Sequence, residues 1–155
     1  MRAGSGVPTI DTGVIKGHYY APVDAIDRQP TRPDFVVLMY PVISMQEEVA
    51  HSGSRTRLLG EHASAADVEH YSANMNVMAA TSPMFLLHAA DDDAVPLQNT
   101  LLMYEALRSA GIESELHVFA EGGHGFGLRD TSGLPVAAWP GLVAAWVGRA
   151  CGGGG

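Results

Sequence analysis

The chain has 155 residues, 46% of them hydrophobic, and 9 Lys and Arg against 17 Asp and Glu give a net charge of −8. A domain of this size buries roughly 68–70% of the surface its unfolded chain exposes, so it needs neither a disulfide nor a structural metal. The scattered cations make no basic stripe and no apolar run nears the ~18 residues of a membrane span, so neither a nucleic-acid nor a membrane partner is expected.

Residues 1–34 are rich in Gly, Pro, Asp and Thr and read mostly as loop. Phe35 to Tyr40 is a continuous apolar run between Pro33 and Pro41, the pattern of a strand buried on both faces. The stretch from Glu47 to Ala80 reads as irregular apart from one short helix over Ala65 to Tyr71. Pro83 to His88 repeats the buried-strand pattern and is stopped by Asp91-Asp92-Asp93. Pro96 to Ala110 has helical spacing, with Leu97, Leu101, Tyr104 and Leu107 on one face and Gly111 as the stop. A third strand, Glu115 to Phe119, ends at Glu121-Gly122-Gly123, and a last helix is expected over Pro140 to Arg149. Strand, helix, strand with a crossover of this length is a parallel unit. The reading is thus a single α/β domain over 1–151 with a Gly tail at 152–155. Its sheet is short and mainly parallel, with three strong strands flanked by helices.

In an open parallel sheet ligands bind beyond the carboxyl ends of the strands. The residues in that position are His88-Ala89-Ala90-Asp91-Asp92-Asp93-Ala94-Val95-Pro96 after one strand and Gly122-Gly123-His124-Gly125-Phe126 after the next. An Asp and a His at neighbouring strand ends can pair, the carboxylate fixing the imidazole's tautomer and stabilising the imidazolium. Asp92, which opens the string Asp-x-x-Val-Pro, is the better candidate, and Asp93 the more natural helix cap. His88 is read as a hydrogen-bonded support for the Asp loop. Neither a helical zinc spacing nor a Gly-rich phosphate loop is present, so no metal and no cofactor are expected.

These strings, with Tyr20-Ala21-Pro22-Val23-Asp24, Arg32-Pro33-Asp34-Phe35, Tyr40-Pro41-Val42-Ile43-Ser44 and Gly53-Ser54-Arg55, resemble the C-terminal half of an α/β-hydrolase. The group is that of the bacterial esterases, acetylxylan-esterase-like and dienelactone-hydrolase-like proteins, and the likeness covers residues 19–147 nearly continuously. It implies a truncated three-layer hydrolase fold, with Asp92 as the triad acid, His124 as the triad base, and Ser44 and Met45 lining the substrate pocket.

The resemblance stops at the nucleophile. The Gly-x-Ser-x-Gly elbow and the His-Gly-Gly oxyanion loop of such enzymes are both missing. The nearest string is Ala3-Gly4-Ser5-Gly6-Val7, and Ser5 lies where a shortened family sequence would place the nucleophile. Ser44 competes because it follows a strand on the same rim, while Ser54 belongs to a loop with a structural role. A His124–Asp92 pair activating water directly is a third route. The resemblance therefore implies a hydrolase of short acyl esters, acting through His124, Asp92 and Ser5. The alternative is a catalytically silent half-hydrolase that folds and dimerises. Either way the charge-free strand Phe35 to Tyr40 needs a cover, which points to a homodimer. A single cysteine, Cys151, and no signal-type apolar core near Met1 set the expected location in the cytoplasm.

Overall fold

The computed structural model describes residues 23–26, 28, 32–129 and 131–152. Its sheet has three parallel strands in the order β1 (Val36–Met39), β2 (Met84–Ala89) and β3 (Ser114–Phe119). Val36 is in register with Met84, and Met84 in turn with Ser114, so the carboxyl ends of all three strands open on one edge.

Helices cover both faces, which is why β2 can be apolar without alternation: all six of its residues are buried. On one face Met84 and Leu86 meet Met103 and Leu107 of α3 (Gln98–Ser109), joined by Ile43 and flanked by Val36, Leu38 and Leu116. On the other, Phe85, Leu87 and Ala89 meet Phe126, Val136 and Trp146, the last from α4 (Trp139–Gly152), flanked by Val37 and Met39. Trp146 sets its ring against Phe35 and Phe85 at centroid distances of 5.7 and 5.6 Å. Such aromatic contacts add to the area they bury.

The helix between β2 and β3 lies where its spacing predicts, with two corrections. Asp93 is not its cap: the N-cap is Leu97, without a side-chain hydrogen bond, and the first turn closes through i−3 bonds from Asn99 to Pro96 and Thr100 to Leu97. Its buried face is Asn99, Thr100, Met103 and Leu107, with Leu97, Leu101 and Tyr104 only half-buried. Polar Asn99 and Thr100 are inside because Asn99 bonds the strand-end loops and Thr100 bonds the buried His88 of β2. At the other end Gly111, at φ 72°, completes a two-bond stop, with Gly111 N–H to Arg108 O and Ile112 N–H to Leu107 O.

The stretch expected to be irregular holds a further helix, α1 (Ser52–Leu59), before α2 (Ala65–Tyr71). No residue of α1 is buried, and its sequence SGSRTRLL carries no apolar periodicity. It is started by an unusual cap, His51, whose Nδ1 accepts from Ser54 N–H. In α2, Ser64 and Asp67 form a reciprocal capping box. Met75, just after α2, is 48% exposed.

Candidate active site

Two loops meet at the carboxyl edge. The first follows β2 and is folded by its own carboxylates: Asp92 Oδ1 accepts from Ala94 N–H at 3.0 Å and Val95 N–H at 2.8 Å. The second follows β3 and carries His124 between Gly123, at φ 62°, and Gly125, at φ 72°. A side chain at either would be strained. Gly122 is tightly packed for a different reason, since a Cβ there would lie 3.2 Å from both Ala89 and Val136 and press on both. Asp91 stitches the two loops together by accepting from Gly123 N–H at 2.8 Å and Gly122 N–H at 3.2 Å.

With the loops fixed, His124 Nδ1 lies 2.8 Å from Asp92 Oδ2, across 32 residues of sequence. The Asp92 side chain has no exposure and that of His124 is 37% exposed. Burial raises the Asp92 pKa, but the Val95 N–H, His124 and Ala94 N–H hydrogen bonds outweigh it, and the carboxyl is held below its ordinary value. An ionised carboxylate only accepts, so Nδ1 of His124 carries a proton, and in the neutral ring the lone pair is on Nε2. Asp91 is also lowered, by the Gly123 and Gly122 amides. Asp93 is exposed.

A third side, the end of β1, supplies Tyr40. Its ring stands edge-on to His124 at 4.9 Å and to Phe126 at 4.9 Å, and its backbone is at φ 40°. Beneath the loops, Asn99 uses its whole amide: Oδ1 accepts from Ile43 and Ser44 N–H, and Nδ2 donates to Val49 O and Pro96 O. Ser44 and Met45 are buried in the loop after β1. The Ser44 hydroxyl accepts from Gln46 N–H at 3.2 Å, and Met45 is held through its backbone by Ser72 Oγ and Arg55. Ser54 pairs with His51 at 2.9 Å, and Ser5 lies outside the described residues. Tyr40 opens a string that carries the resemblance, but nothing in that string gives it a role, and Asn99 has no motif to announce it. A Tyr next to Pro and an Asn inside a helix are ordinary until the strand ends are brought together. Among the described residues no group of His, Cys, Asp and Glu side chains is arranged to hold a metal ion.

Comparison with known proteins agrees with this architecture. An acetylxylan esterase of Xylanibacter ruminicola is 36% identical over 116 residues, which are 72% of this chain and 24% of that protein. The crystal structure of an acetyl ester-xyloside bifunctional hydrolase from Caldicellulosiruptor lactoaceticus superposes with a TM-score of 0.74 at 41% identity, covering 88% of this chain and 47% of the other. A carboxylesterase from Lactobacillus plantarum superposes at a TM-score of 0.57 and 25% identity, over 77% and 45% of the two chains. The chain thus has an α/β-hydrolase fold and spans about a quarter of the esterase and under half of the two solved structures. The family model that matches residues 25–148 takes in all three strands and both strand-end loops, and by it the chain belongs to the prolyl oligopeptidase family.

Proposed function

We propose that this chain carries the acid and base of a serine-type carboxylic-ester hydrolase acting on short acyl esters. The observation that carries the reading is the 2.8 Å hydrogen bond from His124 Nδ1 to the buried Asp92 carboxylate, with the imidazole partly open to solvent. The names of the esterase relatives support the reaction class.

In this reading His124 Nε2 takes the proton of the attacking hydroxyl as its oxygen bonds the ester carbonyl carbon, and returns it to the leaving alcohol. Asp92 remains ionised throughout and stabilises the imidazolium. The acyl group left on the nucleophile then passes to water by the same proton route in reverse. Ser5 is the proposed nucleophile, and the Ser44 and Met45 loop a wall of the pocket. The test is incubation with p-nitrophenyl acetate and with a serine-directed fluorophosphonate, followed by mass spectrometry. Turnover with label on Ser5 is the expected result, removed by Ser5→Ala. Label on Ser44 reassigns the nucleophile, turnover without label assigns water, and neither turnover nor label leaves a silent half-hydrolase.

We further propose a homodimer. Val36 and Tyr40 N–H groups bond Pro83 O and Leu87 O of the β2 side, so the backbone groups of Val37 and Met39 face the other way. Among the described residues no strand pairs with that edge. Light scattering at micromolar concentration reads the state directly. A monomer whose Phe35 to Tyr40 amides resist hydrogen exchange overturns the dimer. A cytoplasmic location is the reading that the single cysteine supports, and cell fractionation tests it. No helix among the described residues is long and apolar enough to cross a membrane.

A further inference from the structure

One ionisable side chain in the interior takes no part in the mechanism above. His88 is fully buried near the end of β2, in a strand whose other five residues are apolar. Its Nδ1 lies 2.6 Å from Thr100 Oγ1 on α3. Its Nε2 lies 3.0 Å from Val95 O and 3.1 Å from Asp92 Oδ2. Two imidazoles therefore converge on one carboxylate oxygen, His124 at 2.8 Å and His88 at 3.1 Å.

The chemistry of these partners assigns the tautomer. A backbone carbonyl and an ionised carboxylate have no hydrogen to give, so Nε2 of His88 must carry one. The bond to Val95 O is the aligned one, and Asp92 Oδ2 shares the positive end of the same N–H dipole. In this tautomer the lone pair sits on Nδ1, facing a hydroxyl that can donate. Thr100 is fully buried. The opposite tautomer would place an Nε2 lone pair against two oxygens at 3.0 and 3.1 Å, a repulsion with no water to relieve it.

The position of His88 also matters for the loop. The terminal torsion of an Asp side chain is broad and roughly two-fold. Ala94 and Val95 amides hold Oδ1, which leaves Oδ2 to be aimed. A single N–H that grips Val95 O and faces Oδ2 spans the loop from its carboxylate to its far end. From these contacts we infer that His88, held in its Nε2–H tautomer by Val95 O and the Asp92 carboxylate and anchored at Nδ1 by the Thr100 hydroxyl, is a positioning residue that aims Asp92 Oδ2 at His124. The relay runs from Thr100 through His88 and Asp92 to His124, joining α3 to the loop after β3. This inference rests on the proposed roles of Asp92 and His124. A residue that only filled space between β2 and α3 would need no particular tautomer.

The test compares the full chain with Thr100→Val, which keeps the shape and removes the hydroxyl, and Thr100→Ser, which restores it. Imidazole nitrogen–proton correlation spectra of labelled protein read the His88 tautomer and the Nδ1–H resonance of His124. The wild type is expected to hold His88 purely as Nε2–H. In Thr100→Val His88 keeps the Nε2–H form but loses its anchor, so its own Nε2–H resonance shifts, the His124 resonance moves upfield or is lost, and kcat/KM for p-nitrophenyl acetate falls about tenfold, mostly in kcat. Thr100→Ser recovers all three. A wild-type His88 protonated on Nδ1, alone or on both nitrogens, overturns the inference even if Thr100→Val does not fold. So does a Thr100→Val protein whose His124 resonance is unmoved. If the wild type hydrolyses nothing, the esterase reading fails by itself, and the two resonances still decide the relay.

Discussion

Tyr40 meets His124 edge-on, with ring centroids 4.9 Å apart and planes at 63°, from a backbone at φ 40°. It is the one non-glycine among the described residues with positive φ, immediately after β1. Its N–H still bonds Leu87 O at 2.8 Å, so the strand's last hydrogen bond is kept while the chain turns. Such a conformation costs about 1–3 kcal/mol and persists where surrounding contacts over-determine it. Here those contacts are the rings of His124 and Phe126.

Two pairs of variants separate strain from contact. Tyr40→Gly should be more stable than Tyr40→Ala by about 1 kcal/mol in urea unfolding, because only glycine accepts this φ without cost. Tyr40→Phe should keep ester hydrolysis and Tyr40→Leu should lose about tenfold, since the ring and not the hydroxyl meets the imidazole. Equal losses in Phe and Leu variants would assign the effect to the hydroxyl.

Asp92→Asn should fold with far-UV circular dichroism like the wild type, because an amide oxygen can still accept from Ala94 and Val95. Its NH2 group would then face His124 Nδ1 and force the other tautomer. Hydrolysis is expected to fall by about three to four orders of magnitude. Unchanged turnover would remove Asp92 from the reaction.

Acid stability follows from the carboxylates. Asp91 is lowered by the Gly123 and Gly122 amides, Asp67 by Ser64, and Asp92 is lowered in spite of its burial. A folded-state pKa below the unfolded one stabilises fully above the unfolded value, near pH 4, and that contribution is lost as pH falls through the folded value. Tm should therefore change little on this account from pH 7 to 5 and drop below about pH 4. Asp91→Asn should lower Tm more at pH 7 than at pH 3. The reverse order in calorimetry would show that the amide contacts of Asp91 do not hold the loops.

Asn99→Leu should unfold at lower urea than the wild type by about 3 kcal/mol or more, since it strands the amides of Ile43 and Ser44 and the carbonyls of Val49 and Pro96. Trypsin should then cut at Arg55 or Arg57 in α1 sooner, as the 43–49 loop loses its tie to α3. Unchanged proteolysis there would confine the damage to the α3 start.

What the sequence shows of this fold depends on what each segment buries. Phe35 to Tyr40 and Pro83 to His88 announce themselves because strands covered on both sides must be apolar throughout, and Gly111 announces the end of α3 through its φ. The helix Ser52–Leu59 has no such mark, since nothing in it is buried and its cap is a histidine. The face of α3 is misread from its leucines because burial there goes also to residues with buried polar partners: Asn99 satisfies the amides of Ile43 and Ser44, and Thr100 meets the His88 ring. Asp92 and His124 are legible as strand-end residues. The relay behind Asp92 is not, because it takes the pairing of β2 with α3 to bring Thr100 within reach of His88.

Trp139, at the start of α4, donates its Nε1–H to Gly127 O at 2.7 Å, three residues beyond His124, whereas Trp146 is 2% exposed against the sheet. The chain has only these two tryptophans. One indole therefore sits on the loop that bears His124 and the other on the interior, and their emission answers to different events. In Trp146→Phe the remaining signal should respond when an acyl group or inhibitor displaces the His124 loop, while in Trp139→Phe it should stay silent until the sheet itself comes apart.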